Sequence, residues 1–261
     1  MLLLAISPVW ISRYTDNFEP AVQKSIDSAK HHLESREFDK AAKEFRQAIH
    51  TTKHKTDAYY TAILAFVQSP GRRAELCAVD FAREYLDQND SGKLDKKLAR
   101  YELCDLLMMH GQVCFHLGLK DEAFQAMERA LKIYPNNPLI CNDLGYLYAD
   151  SDYNLRRSLQ LTKIAVNAEP ENAMYIDSLG WAYYKLGRYN DAVRELKKAV
   201  RLSPMEYEIR YHLGAAYAKL GMKIEALIEL QKSLVLAPGY PVANELYMSL
   251  TTRVRPHPRK L

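Results

Sequence analysis

The chain has 261 residues, almost half of them apolar, and only 10 Gly and 11 Pro. That is enough apolar surface for a continuous core, and no long Gly/Ser- or Pro-rich linker tethers separate domains. The formal charge of +4 sits in the last residues, where Arg253, Arg255, Arg259 and Lys260 stand without an acid. The rest is balanced, which excludes the broad basic footprint of phosphate binding, so no nucleic-acid partner is expected.

Residues 1–21 read as an apolar N-terminal segment or cap, running Leu2-Leu3-Leu4-Ala5-Ile6 and then Pro8-Val9-Trp10-Ile11. No basic residue precedes Arg13, no small-residue cleavage site follows, and the run is too short to span a bilayer. Three readings compete: a cap packed on the fold, a frayed end, or the remnant of a membrane anchor through residues 1–12. Residues 22–103 read as degenerate helical repeats. Phe38, Ala41, Phe45 and Ala48 keep helical spacing, and a second pair runs through Tyr59, Ile63 and Phe66, breaks at Pro70-Gly71, and resumes through Leu76, Val79 and Tyr85. Asp90-Ser91-Gly92 connects to residues 93–117, which read as one long helix.

From 104 to 240 the sequence repeats with a 34-residue period. Leu179-Gly180, Ala192, Ala199 and Pro204 recur as Leu213-Gly214, Ala226, Ser233 and Pro238, and are foreshadowed by His110-Gly111, Ala123, Ala130 and Pro135. The unit between carries one extra residue at its Asp150-Ser151-Asp152 turn. Each period holds two helical patterns. Ile176, Leu179, Ala182, Tyr183 and Leu186 mark the first; Gly187 ends it, Tyr189-Asn190-Asp191 opens the second, and Pro204 stops that one. Gly180 and Ala192 are small where two helices must approach closely. Arg194, Glu195, Lys197, Lys198 and Arg201 read as the exposed face of that second helix. Residues 241–261 give a capping helix through Val242, Leu246 and Leu250, then the basic tail.

Four consecutive units built on a Leu-Gly step, an aromatic, two alanines and a closing proline resemble the tetratricopeptide repeat, although His110 and Cys114 replace the Leu and the aromatic of the first and serines replace an alanine in two others. The resemblance implies an all-α, right-handed α-solenoid of stacked helix-turn-helix units. It also implies a non-enzymatic scaffold or adaptor that binds a partner protein or peptide in the concave groove lined by the first helices. The wording NDLGYLYAD followed by YIDSLGWAYYKLGRY is similar to bacterial repeats of this kind. The groove positions implied are Asn142, Asp143, Tyr146, Asp177, Ser178, Trp181, Tyr184, Lys185, Tyr211, His212 and Lys219. Trp181 lies off the face of Leu179 and Tyr183, so it is either an inter-repeat packing residue or a ligand anchor. The basic pair of the carboxylate-clamping subfamily is absent from the strong repeats, which carry Asp143, Ser178 and His212 at one of its positions.

Enzyme motifs are absent: no P-loop, no HExxH, no GxSxG. His110, Cys114 and His116 form the best metal candidate, a low-ranking alternative as a metal-dependent enzyme, but no acidic or thiol partner completes the set and packing is the favoured reading. Asp143 and Asp177 fall near equivalent positions of adjacent first helices, as polar lining of a wet groove rather than an acid/base pair. Cys77, Cys104, Cys114 and Cys141 form no CxxC pair and read as buried reduced thiols, which favours the cytoplasm. No cofactor is expected. The alternative to a cytoplasmic scaffold is the same module held at a membrane by residues 1–12.

Overall fold

A computed structural model describes residues 18–94 and 99–252. The apolar segment 1–12 and the basic tail from Arg253 lie outside the described residues. Among the described residues there are thirteen α-helices and no strand. They form two compact units, through Ile133 and from Tyr134 onward. The division falls inside the 104–240 repeat run, at the end of its first helix pair and just before Pro135. Each unit is an all-α stack of antiparallel helix pairs, the solenoid class expected.

The first unit holds α1 (Pro20–Glu34), α2 (Phe38–Thr51), α3 (Lys55–Gln68), α4 (Arg72–Asp90), α5 (Arg100–Leu117) and α6 (Lys120–Ile133). The degenerate repeats are real helix pairs because their second-helix apolar positions survive. Ala41, Phe45 and Ala48 are fully buried, and the Phe45 ring meets Phe66 edge-on at 5.7 Å while Phe66 stacks on Phe81 at 5.6 Å. Across pairs, second helices are linked by Arg46–Glu84 (2.8 Å) and Arg129–Asp90 (2.9 Å). These exposed ion pairs each contribute at most ~1 kcal/mol. The long helix expected over 93–117 is shorter: α5 starts at Arg100. Gly92 is left-handed (φ +66°), Lys93 N–H closes back on the Gln88 carbonyl, and the Glu102 carboxylate caps the Ala99 N–H at 2.8 Å. A helix end and a helix start therefore replace continuous helix.

The second unit holds α7 (Pro138–Asp150), α8 (Leu155–Ala168), α9 (Ala173–Lys185), α10 (Tyr189–Leu202), α11 (Tyr207–Lys219), α12 (Lys223–Leu236) and α13 (Pro241–Thr252). Helix starts follow the sequence chemistry: Asn137 and Asn172 cap α7 and α9 with their side-chain oxygens. The close approach expected at Gly180 is there. A Cβ on it would lie 2.6 Å from Leu196 Cγ, and Leu196 and Ala192 are fully buried. Gly187, at φ +74°, closes the turn after α9. The α7–α8 turn has no glycine, so Asp152 takes the left-handed position (φ +53°) and the inserted residue leaves Asn154 left-handed as well (φ +42°). Asp and Asn tolerate that conformation better than other L-residues. One expectation needs correcting on α10: Glu195 is buried, held by Arg194 (2.9 Å) and Lys198 (2.7 Å), while the other four charges of the run are exposed.

Candidate functional site

In the second unit the first helices α7, α9 and α11 bring seven of the eleven expected groove residues into one cluster. Its axis is an aromatic column. The Trp181 indole lies flat on Tyr184, one turn further along α9, with centroids 4.5 Å apart and planes 4° apart. Its other neighbour is His212 of α11, stacked at 4.1 Å and 22°. Tyr211 leans on the same indole at 6.1 Å and meets Tyr240 edge-on at 5.4 Å. Trp181 is only 5% exposed, so in the free chain it packs between repeats.

His212 is held by charge as well as by stacking. Its Nδ1 lies 2.9 and 3.0 Å from the two carboxylate oxygens of Asp177, one turn before Trp181 on α9. Both residues are buried. Burial alone would lower the imidazole pKa; the Asp177 carboxylate, reinforced by Glu208 and Asp150, outweighs it and the pKa rises. Asp177 is therefore not wet: a histidine from the next repeat is its partner. From α7, Tyr146 donates to Glu208 Oε1 at 3.2 Å, and burial, then Glu208, holds its phenol well above the usual range. Lys185 caps the column, 5.4 Å over the Trp181 ring and 2.9 Å from Asp152 Oδ2. Tyr184 is half-buried and its phenol is pushed up to about 12 by burial.

The other four expected residues sit apart. Asn142 is buried and donates to Asp143 Oδ1 at 3.2 Å, Ser178 bonds back to the Met174 carbonyl of its own helix, and Lys219 is exposed at the end of α11. Among the expected groove residues, two buried side-chain atoms have no hydrogen-bond partner: the Trp181 Nε1 donor and the Asn142 Oδ1 acceptor. Sequence reading missed Tyr240 and Leu246, which pack against this cluster from the C-terminal end. Leu246 lies one period after His212, so the repeat register carried the signal.

In the first unit, the His110/Cys114/His116 set does not assemble. His116 turns outward to Glu75 at 2.9 Å, being three-quarters exposed. Instead Glu122, at the start of α6, bonds His110 Nε2 at 2.9 Å, and Cys114 Sγ lies 3.6 Å from the same nitrogen. The donor atoms of His110, Cys114 and Glu122 lie within 4.8 Å of one another. The acidic partner missing from the sequence reading is thus supplied by the second helix of the same repeat. Arg83 already neutralises it, bonding both Glu122 oxygens at 2.7 and 2.5 Å, and lowers its pKa. Burial pushes the Cys114 thiol up to about 12 and lowers the His110 pKa. The arrangement is a polar chain running inward from the exposed Arg83 through the half-buried Glu122 to the buried His110, and it satisfies a histidine placed where the repeat pattern has leucine.

The comparisons agree with this geometry. Two family models match, one described as TPR repeat over residues 180–221 and one as tetratricopeptide repeat over 105–137. The TPR repeat-containing protein PA4667 of Pseudomonas aeruginosa is 30% identical over 100 residues, covering 37% of this chain; the match spans 17% of that relative's length. Among solved structures, TTC0263 of Thermus thermophilus, a thermophilic TPR protein, superposes with TM-score 0.58 at 21% identity, covering 74% of this chain and 99% of that one. MamA (41-end) of Desulfovibrio magneticus RS-1 gives 0.55 at 20%, covering 72% and 97%. The chain carries tetratricopeptide repeats over residues 105–137 and 180–221. Such repeats are in general protein-interaction scaffolds rather than enzymes. No helix among the described residues is long and apolar enough to cross a membrane.

Proposed function

We propose that the chain is a non-enzymatic adaptor that grips an extended segment of a partner protein along the first-helix groove of its second unit. The observation that carries this is the Tyr184–Trp181–His212 column, edged by the half-buried Lys185 and Tyr211. Aromatic faces supply contact area, and the Tyr184 and Tyr211 hydroxyls and the Lys185 ammonium supply hydrogen-bonding groups for a peptide main chain. Within the column, the half-buried Tyr184, Lys185 and Tyr211 are the residues left to meet a ligand. Trp181 and His212 support them from beneath.

The test is selection of peptides from a random display library on the purified chain, followed by titration of the enriched sequences against Tyr184→Ala and Lys185→Glu. Trp181→Ala is the poorer probe, since it removes inter-repeat packing. A loss of about tenfold or more in affinity with unchanged circular dichroism supports the groove. Enriched peptides that bind both variants at full strength sink it.

A further inference from the structure

The outward face of α12 breaks a rule that four other second helices keep. On α10 the outermost positions are Asn190, Arg194, Lys197 and Arg201, all exposed. The same register positions on α2, α6 and α8 are polar throughout. One period after α10, on α12, they become Ile224, Ile228, Gln231 and Val235, with the three aliphatic side chains 73%, 45% and 74% exposed. Its inner face is apolar too, Ala226 and Leu230 being fully buried. A helix apolar on both faces is normally covered on both, and no described residue covers this outer stripe.

We infer that this stripe is a self-association surface, on which α12 of a second copy lies antiparallel about a two-fold axis. The four positions are spaced four, three and four residues apart, which places them within an arc of about 60° on the helix. That spacing reads the same in either direction. An axis passing between Ile228 and Gln231 therefore sets Ile224 against Val235 of the second copy, and Ile228 against its Gln231. Charge fits the same arrangement. Glu225 and Lys232 both flank the stripe on one side, and the two-fold brings each within about one helical turn of the other from the second copy. Glu225 enters no ion pair among the described residues, and Lys232 holds only its helix neighbour Glu229, at 2.8 Å. A parallel two-fold would put the two copies of Glu225 on opposite sides of the seam, away from Lys232 of the other copy, and lose this complementarity. The inference is independent of the groove, since the stripe is on a second helix and the groove on first helices.

Sedimentation equilibrium on the full chain tests it. The wild type dimerises, and Ile228→Arg, which copies the residue that α10 carries at that position and so leaves the fold intact, weakens the dimer about tenfold or more. Glu225→Lys and Lys232→Glu each weaken it, and the double exchange restores it, as only a two-fold antiparallel pairing requires. A wild type that stays monomeric, a dimer indifferent to Ile228→Arg, or charge exchanges that add without rescue would each overturn the inference. So would a monomer that dimerises only when residues 1–17 are removed, because the chain's own segment would then be the occupant.

Discussion

At the scale of single residues, the two buried histidines show how one side chain is accommodated in opposite ways. His212 is stabilised as a cation by Asp177 at 2.9 Å, so removing the carboxylate leaves a buried imidazole without its counter-charge. Asp177→Ala is expected to cost about 3 kcal/mol in denaturant unfolding. His110 is stabilised as a neutral acceptor or donor within the Arg83–Glu122 chain, and its burial lowers its pKa. These pairings were the least legible part of the sequence. Asp177 and His212 could each be named as groove residues, but their partnership needs the knowledge that residues 35 apart face each other across neighbouring repeats. The same holds for Glu122, whose relation to His110 crosses the turn between two helices of one repeat.

At the scale of helices and turns, the sequence was far more readable, because each boundary rests on local chemistry. Gly187 in a left-handed turn, Asn172 at a helix start and Gly180 at a close crossing are demands that few other residues meet. Gly180→Val should destabilise by about 1–3 kcal/mol, since the new side chain meets Leu196. The first turn shows the opposite case: Arg36 holds the left-handed position at φ +58° that glycine holds elsewhere. Arg36→Gly should raise stability by about 1 kcal/mol in the same assay, because Arg36 is exposed and only its backbone strain is removed. Degenerate repeats were legible for a related reason. Their second-helix apolar positions stayed in phase even where the Leu-Gly step was gone, whereas the start of α5 was misjudged because nothing apolar changes there.

At the scale of the whole molecule, the two units respond to pH in opposite directions. In the first unit, the folded pKa of His110 lies below its ordinary 6.5. Its contribution is present above that pH and lost as pH falls; Glu122, also lowered, acts in the same sense. In the second, the folded pKa of His212 lies above 6.5. Its contribution is complete below that pH and lost as pH rises through the folded value. Hydrogen exchange resolved by residue should therefore show α5 and α6 loosening between neutral and mildly acid pH, and α9 and α11 loosening on the alkaline side. Equal slopes in both units would contradict these assignments. The partition itself was not legible: the 34-residue period runs on through the boundary at Ile133, and periodicity records register without recording how the chain divides into units.

The stacking of Trp181 on His212 at 4.1 Å also makes the groove its own optical probe. The chain has two tryptophans, so Trp10→Phe leaves a single emitter, held against the His212 ring, which quenches it on contact when protonated. Anything that lifts the indole off the histidine, whether a bound segment or loss of the proton, should brighten the emission. Occupancy of the groove would then be readable from intrinsic light, with no label attached.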